Sequence, residues 1–302
     1  MADRLEIIQT RAFSALNKLE RGYERQVMQI LKDALDEMRS VMGGIYEKYS
    51  VAGVLTKAEM TRYNRLSTLE AQMLSIITPA AKSGLKVIDR LRPEQYQAAF
   101  FRNAWAIDNS SGIRIAWGTL STEQILANLE NEFYAIAKAG YTQAQQIGIR
   151  TVINQGLAQG KSYPDMIKGL RSHIDKANWQ ILRILRTENQ AAVNGGANKT
   201  YETAGARGID GKKVWIATLD GSTRDDHAAM DGVAANEEGD FRLPDGETAP
   251  YPGWGGLSAA ERINCRCTVR YEIDGFSPAI RRSRDSGVIE YQDYEKWLST
   301  RK

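Results

Sequence analysis

LEIIQTRAFSALNKLERGYERQVMQILKDALDEM, residues 5–38, sets the architecture of this chain. Leu5, Ile8, Ala12, Leu16, Leu19, Tyr23, Val27, Ile30, Ala34 and Met38 recur in nine steps over 33 residues, 3.67 residues per step. That period is helical, and an apolar stripe of this length predicts one long amphipathic helix. The spacing lies nearer 11/3 than 7/2, so packing along it should be almost straight rather than a left-handed heptad coil. A second helix of the same chain is the simplest cover for the stripe.

Outward from this segment, Gly43-Gly44 predicts the helix end, and Thr56 with Glu59 gives a capping-box pattern for the next helix. Met60, Tyr63, Leu66, Leu69, Met73 and Ile76 share one face of that helix, with Pro79 and Gly84 as expected kinks before Leu91. Residues 1–91 therefore read as an extended helical hairpin arm. Arg92-Pro93-Glu94 restarts the chain with proline at a first helical position. Ser121 with Gln124 caps a helix stopping at Gly140, another spans about 142–157, Ser162 caps a short one, and the last runs from about Lys176 to Ala204. Residues 92–205 make a helical domain.

At Gly205 the composition changes. Residues 213–218 and 267–273 are rich in β-branched and aromatic residues and predict two strands. The 48 or so residues between them carry Asp-Gly at 220–221, 231–232 and 245–246. A connection of that length calls for a ligand, metal or partner to organise it. The fold class is thus mainly α, with a small loop-rich α+β module at 206–275 built on an antiparallel sheet. Residues 276–302 form a basic and aromatic tail through Arg281, Arg282, Arg284, Tyr291, Tyr294 and Trp297.

Charge follows the same division. Residues 1–205 hold 26 Lys and Arg against 20 Asp and Glu, residues 206–275 hold 8 against 13, and the tail holds 6 against 4. A surplus of six over 205 residues suits non-specific contact with nucleic acid but is far from a dense DNA-reading stripe. At 42% hydrophobic and 25% charged the chain is neither disordered nor collagenous. No stretch approaches 18 apolar residues without a charge, and residues 1–6 have no signal-peptide core, so membrane spanning and secretion are not expected. Two cysteines one residue apart make no disulfide framework, which suits a reducing compartment. Nucleotide loops, GxGxxG after a strand, HExxH and GxSxG are all missing from the sequence.

Two constellations remain. Arg186-Thr187-Glu188 sits within the last apolar helix, followed by Asn189, Asn194, Asn198 and Tyr201. Buried there, Arg186 and Glu188 would need hydrogen-bonded partners, which makes them a structural anchor between the helix and the C-terminal module rather than a catalytic set. Arg224, Asp231 and Asn264 are the matching anchor residues of the module. The second constellation is His227 with Cys265 and Cys267, which converge if the two strands pair, since residues i and i+2 face one side. With Asp220, Asp226 or water as fourth ligand they allow a structural zinc site. The alternatives are buried small cysteines beside a hydrogen-bonded histidine, with no cofactor, or a Cys-His pair.

Taken in order, Arg186-Thr187-Glu188, Tyr201, Gly205, Lys213, Trp215, Asp220, Arg224, His227, Asp231-Gly232, Phe241, Pro252 and Asn264-Cys265-Arg266-Cys267 resemble the phage head morphogenesis family, the phage Mu protein F-like minor capsid proteins. The resemblance covers about 155–272. It departs from many members, which carry Cys-x-x-Cys where this chain has Arg224 and His227. It implies a minor capsid protein of a tailed bacteriophage, not an enzyme, made in the host cytoplasm and placed in the virion head near the portal vertex. Partners implied are the portal protein, the major capsid or scaffolding protein and packaged DNA, in head assembly, packaging or ejection. The rival class is a zinc-dependent hydrolase or nuclease, or a delivered effector, using His227, Cys265 and Cys267 with Glu188.

Overall fold

A computed structural model describes residues 4–111, 115–273, 280–283 and 287–290. Six helices come first: α1 (Arg4–Tyr49), α2 (Lys57–Thr61), α3 (Arg65–Ser111), α4 (Thr122–Leu129), α5 (Glu132–Ala158) and α6 (Tyr163–Ala206). There follow β1 (Gly211–Ile216), α7 (Asp225–Ala229), β2 (Phe241–Arg242), β3 (Thr248–Ala249), α8 (Ala259–Arg262), β4 (Thr268–Ile273), β5 (Ile280–Ser283) and β6 (Gly287–Glu290). The chain is largely helical with a small, loop-rich antiparallel region at its C-terminal end, as its patterning predicts. Arg284, Tyr291, Tyr294 and Trp297 of the expected tail lie outside the described residues.

Two compact units partition the chain: Met1–Arg21 with Arg90–Phe133 and Arg186–Lys302, and Gly22–Asp89 with Tyr134–Leu185. The second unit is helical. Val27, Leu31, Met38, Ile77, Ile149, Ile153, Leu170 and Ile181 are all buried in it. His173 on α6 packs so closely on α5 at Gly148 that any Cβ there would overlap its imidazole. This histidine is a helix-contact residue.

Several expected helix breaks are absent. α1 passes through Gly43-Gly44 because Met42 before them and Tyr46 beyond them are buried, Tyr46 donates to the Lys161 carbonyl at 2.6 Å, and Gly43 lies against the Tyr163 ring. Tertiary packing of the following turn outweighs the roughly 1 kcal/mol per glycine of helix propensity. α3 runs unbroken past Pro79, Gly84 and Pro93, with Ile76, Ile77, Ala81, Ile88, Leu91 and Tyr96 buried along it. α5 continues through Gly140, and Leu170, Ile174, Ala177 and Ile181 join the two expected C-terminal helices into one α6. Thr56 does cap α2, accepting from the Glu59 amide at 3.2 Å, but that helix lasts five residues and turns through Tyr63 at φ 54° before α3. The Ser121–Gln124 capping box is formed in full.

In the first unit β1 and β4 pair antiparallel, Gly211 opposite Ile273 and Ile216 opposite Thr268, and β2 pairs with β3 through Phe241 opposite Ala249. Trp215, Tyr201, Phe241, Val269 and Tyr271 form its core with Leu5 and Ile8 of α1. Tyr201 and Tyr271 stack at 5.0 Å. Beneath them α6 crosses α3 at Gly196, where a side chain would strike the Tyr96 backbone carbonyl.

Candidate metal centre

One face of α6 builds the site. Thr187, Gln190, Asn194, Asn198 and Tyr201 recur every three or four residues, so a single side of the helix presents a column of polar groups. Thr187 Oγ1 accepts from the Asn264 amide at 3.1 Å. Gln190 Nε2 donates to the Cys267 carbonyl at 2.7 Å, and Asn194 Nδ2 donates to that carbonyl and to Pro252, each at 2.8 Å. Asn194 Oδ1 accepts from the Val269 amide at 3.3 Å. Asn198 accepts from Lys213 Nζ at 2.7 Å, and Tyr201 donates to Asn103 at 2.8 Å. Backbone on either side of the cysteines is therefore held by side chains of α6 where no sheet neighbour exists, which satisfies groups that burial would otherwise leave unpaired.

Glu188 lies beside this column and is 3% exposed. Its carboxylate forms an ion pair with Arg92 Nε of α3 at 3.0 Å and accepts hydrogen bonds from Arg262 Nη2 of α8 and Asn131 Nδ2, each at 3.0 Å. Arg92 also donates to the Leu129 carbonyl, and Arg262 to Asn131 Oδ1 at 3.2 Å while lying over the Phe133 ring. Burial pulls the Arg262 guanidinium below its ordinary range against the opposing pull of Glu188. Glu188 thus ties α3, α6 and α8 together. Arg186, one turn face away, is exposed.

The module's loops are closed by further pairs. Asp220 is gripped by both Arg266 nitrogens, one at 2.7 Å, and the Arg266 pKa is raised by that contact. Arg224 donates to the Ile263 carbonyl, and Asp231 Oδ1 accepts from the Ala217 amide at 2.9 Å. Asn264 adopts φ +58°, the left-handed turn that asparagine tolerates best among side-chain-bearing residues. That turn aims Cys265 and Cys267 inward on one side.

His227 of α7 meets them there. Its Nδ1 lies 3.6 Å from Cys265 Sγ and 3.3 Å from Cys267 Sγ, and its Nε2 lies 2.7 Å from Glu261 Oε2 of α8. The donor atoms of His227, Cys265 and Cys267 fall within 4.8 Å of one another, and all three residues are buried. Trp215 packs edge-on against the imidazole at 5.7 Å and against Phe241 at 5.4 Å. Burial lowers the His227 pKa, but Cys267 and Glu261 outweigh it and the net direction is upward. The hydrogen bond from Cys267 pulls the Cys265 thiol down, and the same contact with burial pushes the Cys267 thiol up. The cluster is capable of coordinating a metal ion, and a Cys2His donor set suits zinc. A shallow pocket reaches it past Thr218, Ser222, Thr223, Arg224, Asn264 and Arg266.

Of the residues singled out in the sequence, His227, Cys265 and Cys267 come together, while Asp220 is engaged by Arg266 instead. Glu261, Arg262, Arg92 and Asn131 carry no sequence signal, being dispersed charged and amide residues. Gln190 and Thr187 were discoverable from their spacing with Asn194 and Asn198 on one helix face.

Comparison with known proteins places this geometry. Residues 147–270 match the family described as Phage Mu protein F like protein. That stretch is similar to the phage Mu protein F-like proteins. The matched stretch holds the α6 column, Glu188 and the whole His/Cys cluster. Over 287 residues the chain is 27% identical to the minor head protein GP7 of Bacillus phage SPP1, covering 92% of each. Over 284 residues it is 26% identical to a protein of Enterococcus faecalis named NAD(+)--arginine ADP-ribosyltransferase EFV, covering 92% of this chain and 57% of that one. No solved structure matches. The similarity is thus to Mu F-like proteins and to a minor head protein. No described helix is long and apolar enough to cross a membrane.

Proposed function

We propose that this Mu F-like chain acts as a minor component of a tailed-phage head, joining the particle at the portal during assembly and serving DNA packaging or ejection. The observation that carries the reading is the match to a minor head protein over 92% of both chains, which extends well beyond the family stretch at 147–270. The net positive charge of residues 1–205 supports contact with packaged DNA, and the N-terminal arm at 1–91 supplies the docking element for portal, major capsid or scaffolding protein. In this reading the protein resides in the host cytoplasm before assembly and inside the head afterwards. The His227, Cys265, Cys267 cluster holds a structural zinc that fixes the loops of residues 206–275.

Quantitative mass spectrometry of particles tests this against the portal and major capsid proteins. A few to a few tens of copies per head are expected, and a clean deletion should give heads with less DNA or lower infectivity. Normal infectious particles from the deletion strain would refute it. Duplex DNA binding should be weak and fall with salt as phosphate contacts do.

The similarity to a protein named as an ADP-ribosyltransferase favours a second reading, a delivered effector or enzyme. Transfer of ADP-ribose from NAD to arginine acceptors, or metal-dependent hydrolysis lost in His227→Ala, would establish it in place of the first.

A further inference from the structure

We propose that His227 through Nδ1, Cys265 and Cys267 hold one zinc ion in a three-donor site whose fourth position is filled from outside the chain, by water in the isolated protein. This deepens the zinc reading above and rests on it.

The imidazole decides the matter. A buried carboxylate oxygen 2.7 Å from Nε2 requires a hydrogen there, so in the neutral ring Nδ1 carries the lone pair. That single lone pair faces two sulfurs, at 3.3 and 3.6 Å. One lone pair accepts one S–H, whereas a cation between the three atoms satisfies all of them at once. Zinc at about 2.3 Å from sulfur and about 2.0–2.1 Å from nitrogen, with tetrahedral angles, needs N to S edges of about 3.6 Å. The observed separations are already close to that edge. Glu261 then plays the part of the carboxylate that orients a metal-bound histidine, and Trp215 fixes the ring plane.

The chain supplies no fourth donor to this point among the described residues. Glu261 binds the opposite edge of the ring, so it cannot reach a metal on Nδ1 while it holds Nε2. Asp220 has both oxygens taken by Arg266, and Asp226, next to His227 on α7, is exposed. What faces the three donors is instead the pocket of hydroxyls and two guanidiniums, Thr218, Ser222, Thr223, Arg224 and Arg266. The Arg224 guanidinium lowers the cost of gathering two thiolates there and favours an anionic or water ligand at the open position. Two cysteines and one histidine with an exogenous fourth ligand leave one coordination position of this loop-fixing zinc open, where a closed site would fill all four from the chain.

The test is cobalt(II) substitution of the purified, reduced full chain, followed by titration with azide. One cobalt per chain is expected, with tetrahedral visible bands and thiolate charge-transfer absorption that falls by about half in Cys267→Ser, as expected when one of two thiolate ligands is removed. Azide should shift the visible bands without releasing cobalt. Asp220→Asn should leave the spectrum unchanged, and Glu261→Gln should keep the stoichiometry while weakening affinity about 10–100-fold. Failure of the wild-type chain to bind cobalt or zinc would overturn the metal reading itself. Binding with a spectrum indifferent to azide, or altered by Asp220→Asn, would overturn the open fourth position and leave the metal reading standing.

Discussion

Removing the Glu188 carboxylate should be among the most damaging single changes in the chain. The group is 3% exposed, accepts hydrogen bonds from Asn131 and Arg262 and is ion-paired with Arg92, the two guanidinium-bearing residues on α3 and α8 being themselves 9% and 1% exposed. Two cations thus share one anion in a buried space. Glu188→Ala leaves both without a countercharge, and breaking a buried pair in this way costs about 3–5 kcal/mol. Glu188→Gln keeps the packing and one acceptor oxygen but loses the charge and turns a donor toward a guanidinium, at about 2–3 kcal/mol. Arg262→Met, which keeps the buried stem, should cost less than Glu188→Ala because Glu188 retains Arg92. The assay is urea unfolding of the purified protein followed by tryptophan fluorescence, with a double-mutant cycle between positions 188 and 262. Coupling of about 1–3 kcal/mol is expected. A Glu188→Ala loss below about 1 kcal/mol, or additive behaviour in the cycle, would refute the shared-anion account.

Asn194→Ala removes three hydrogen bonds to buried backbone and should cost about 2–4 kcal/mol, with hydrogen exchange rising selectively around Pro252 and Cys267–Val269; uniform protection would contradict it. Gly196→Ala should fail to give a native protein because of the Tyr96 carbonyl, whereas Gly44→Ala, with open space at its Cβ, should be neutral or stabilise by up to about 1 kcal/mol by thermal melt. Burial lowers the His173 pKa below 6.5, so the unfolded chain binds the proton more readily; stability should be full above about pH 6.5 and decline as pH falls through the folded-state value. His173→Gln should flatten that slope in melts between pH 7 and 5, and an unchanged slope would show that other groups carry it. Chelator treatment of the zinc-loaded chain should loosen the loops of residues 206–275 by limited proteolysis, and indifference to chelation would count against a structural role.

Periodicity by itself determined the helical character, the two strands and the segregation of the loop-rich module, because these depend on which residues alternate in hydrophobicity over short spans. Capping boxes were equally legible: Ser121–Gln124 is local chemistry and forms wherever the helix starts. Helix ends marked only by glycine or proline were not. Gly43-Gly44, Pro93 and Gly140 weaken a helix by an amount that one buried turn beyond them reverses, and whether that turn is buried depends on distant segments such as Tyr163.

The candidate site divides in the same way. His227, Cys265 and Cys267 stand out in a chain with two histidines and two cysteines, and the i, i+2 spacing of the cysteines puts them on one side of an extended segment. Glu261, Arg92, Arg262 and Asn131 are chemically ordinary in sequence and separated by up to 170 residues, and only the tertiary packing sets them against Glu188 and His227. Asp220 shows the converse: its chemistry qualified it as a ligand, but the side chain of Arg266, between the two cysteines, claims its carboxylate. Composition reveals which groups can do chemistry; which of them find each other depends on long-range packing, since the competing partners differ by less than the energy that packing supplies.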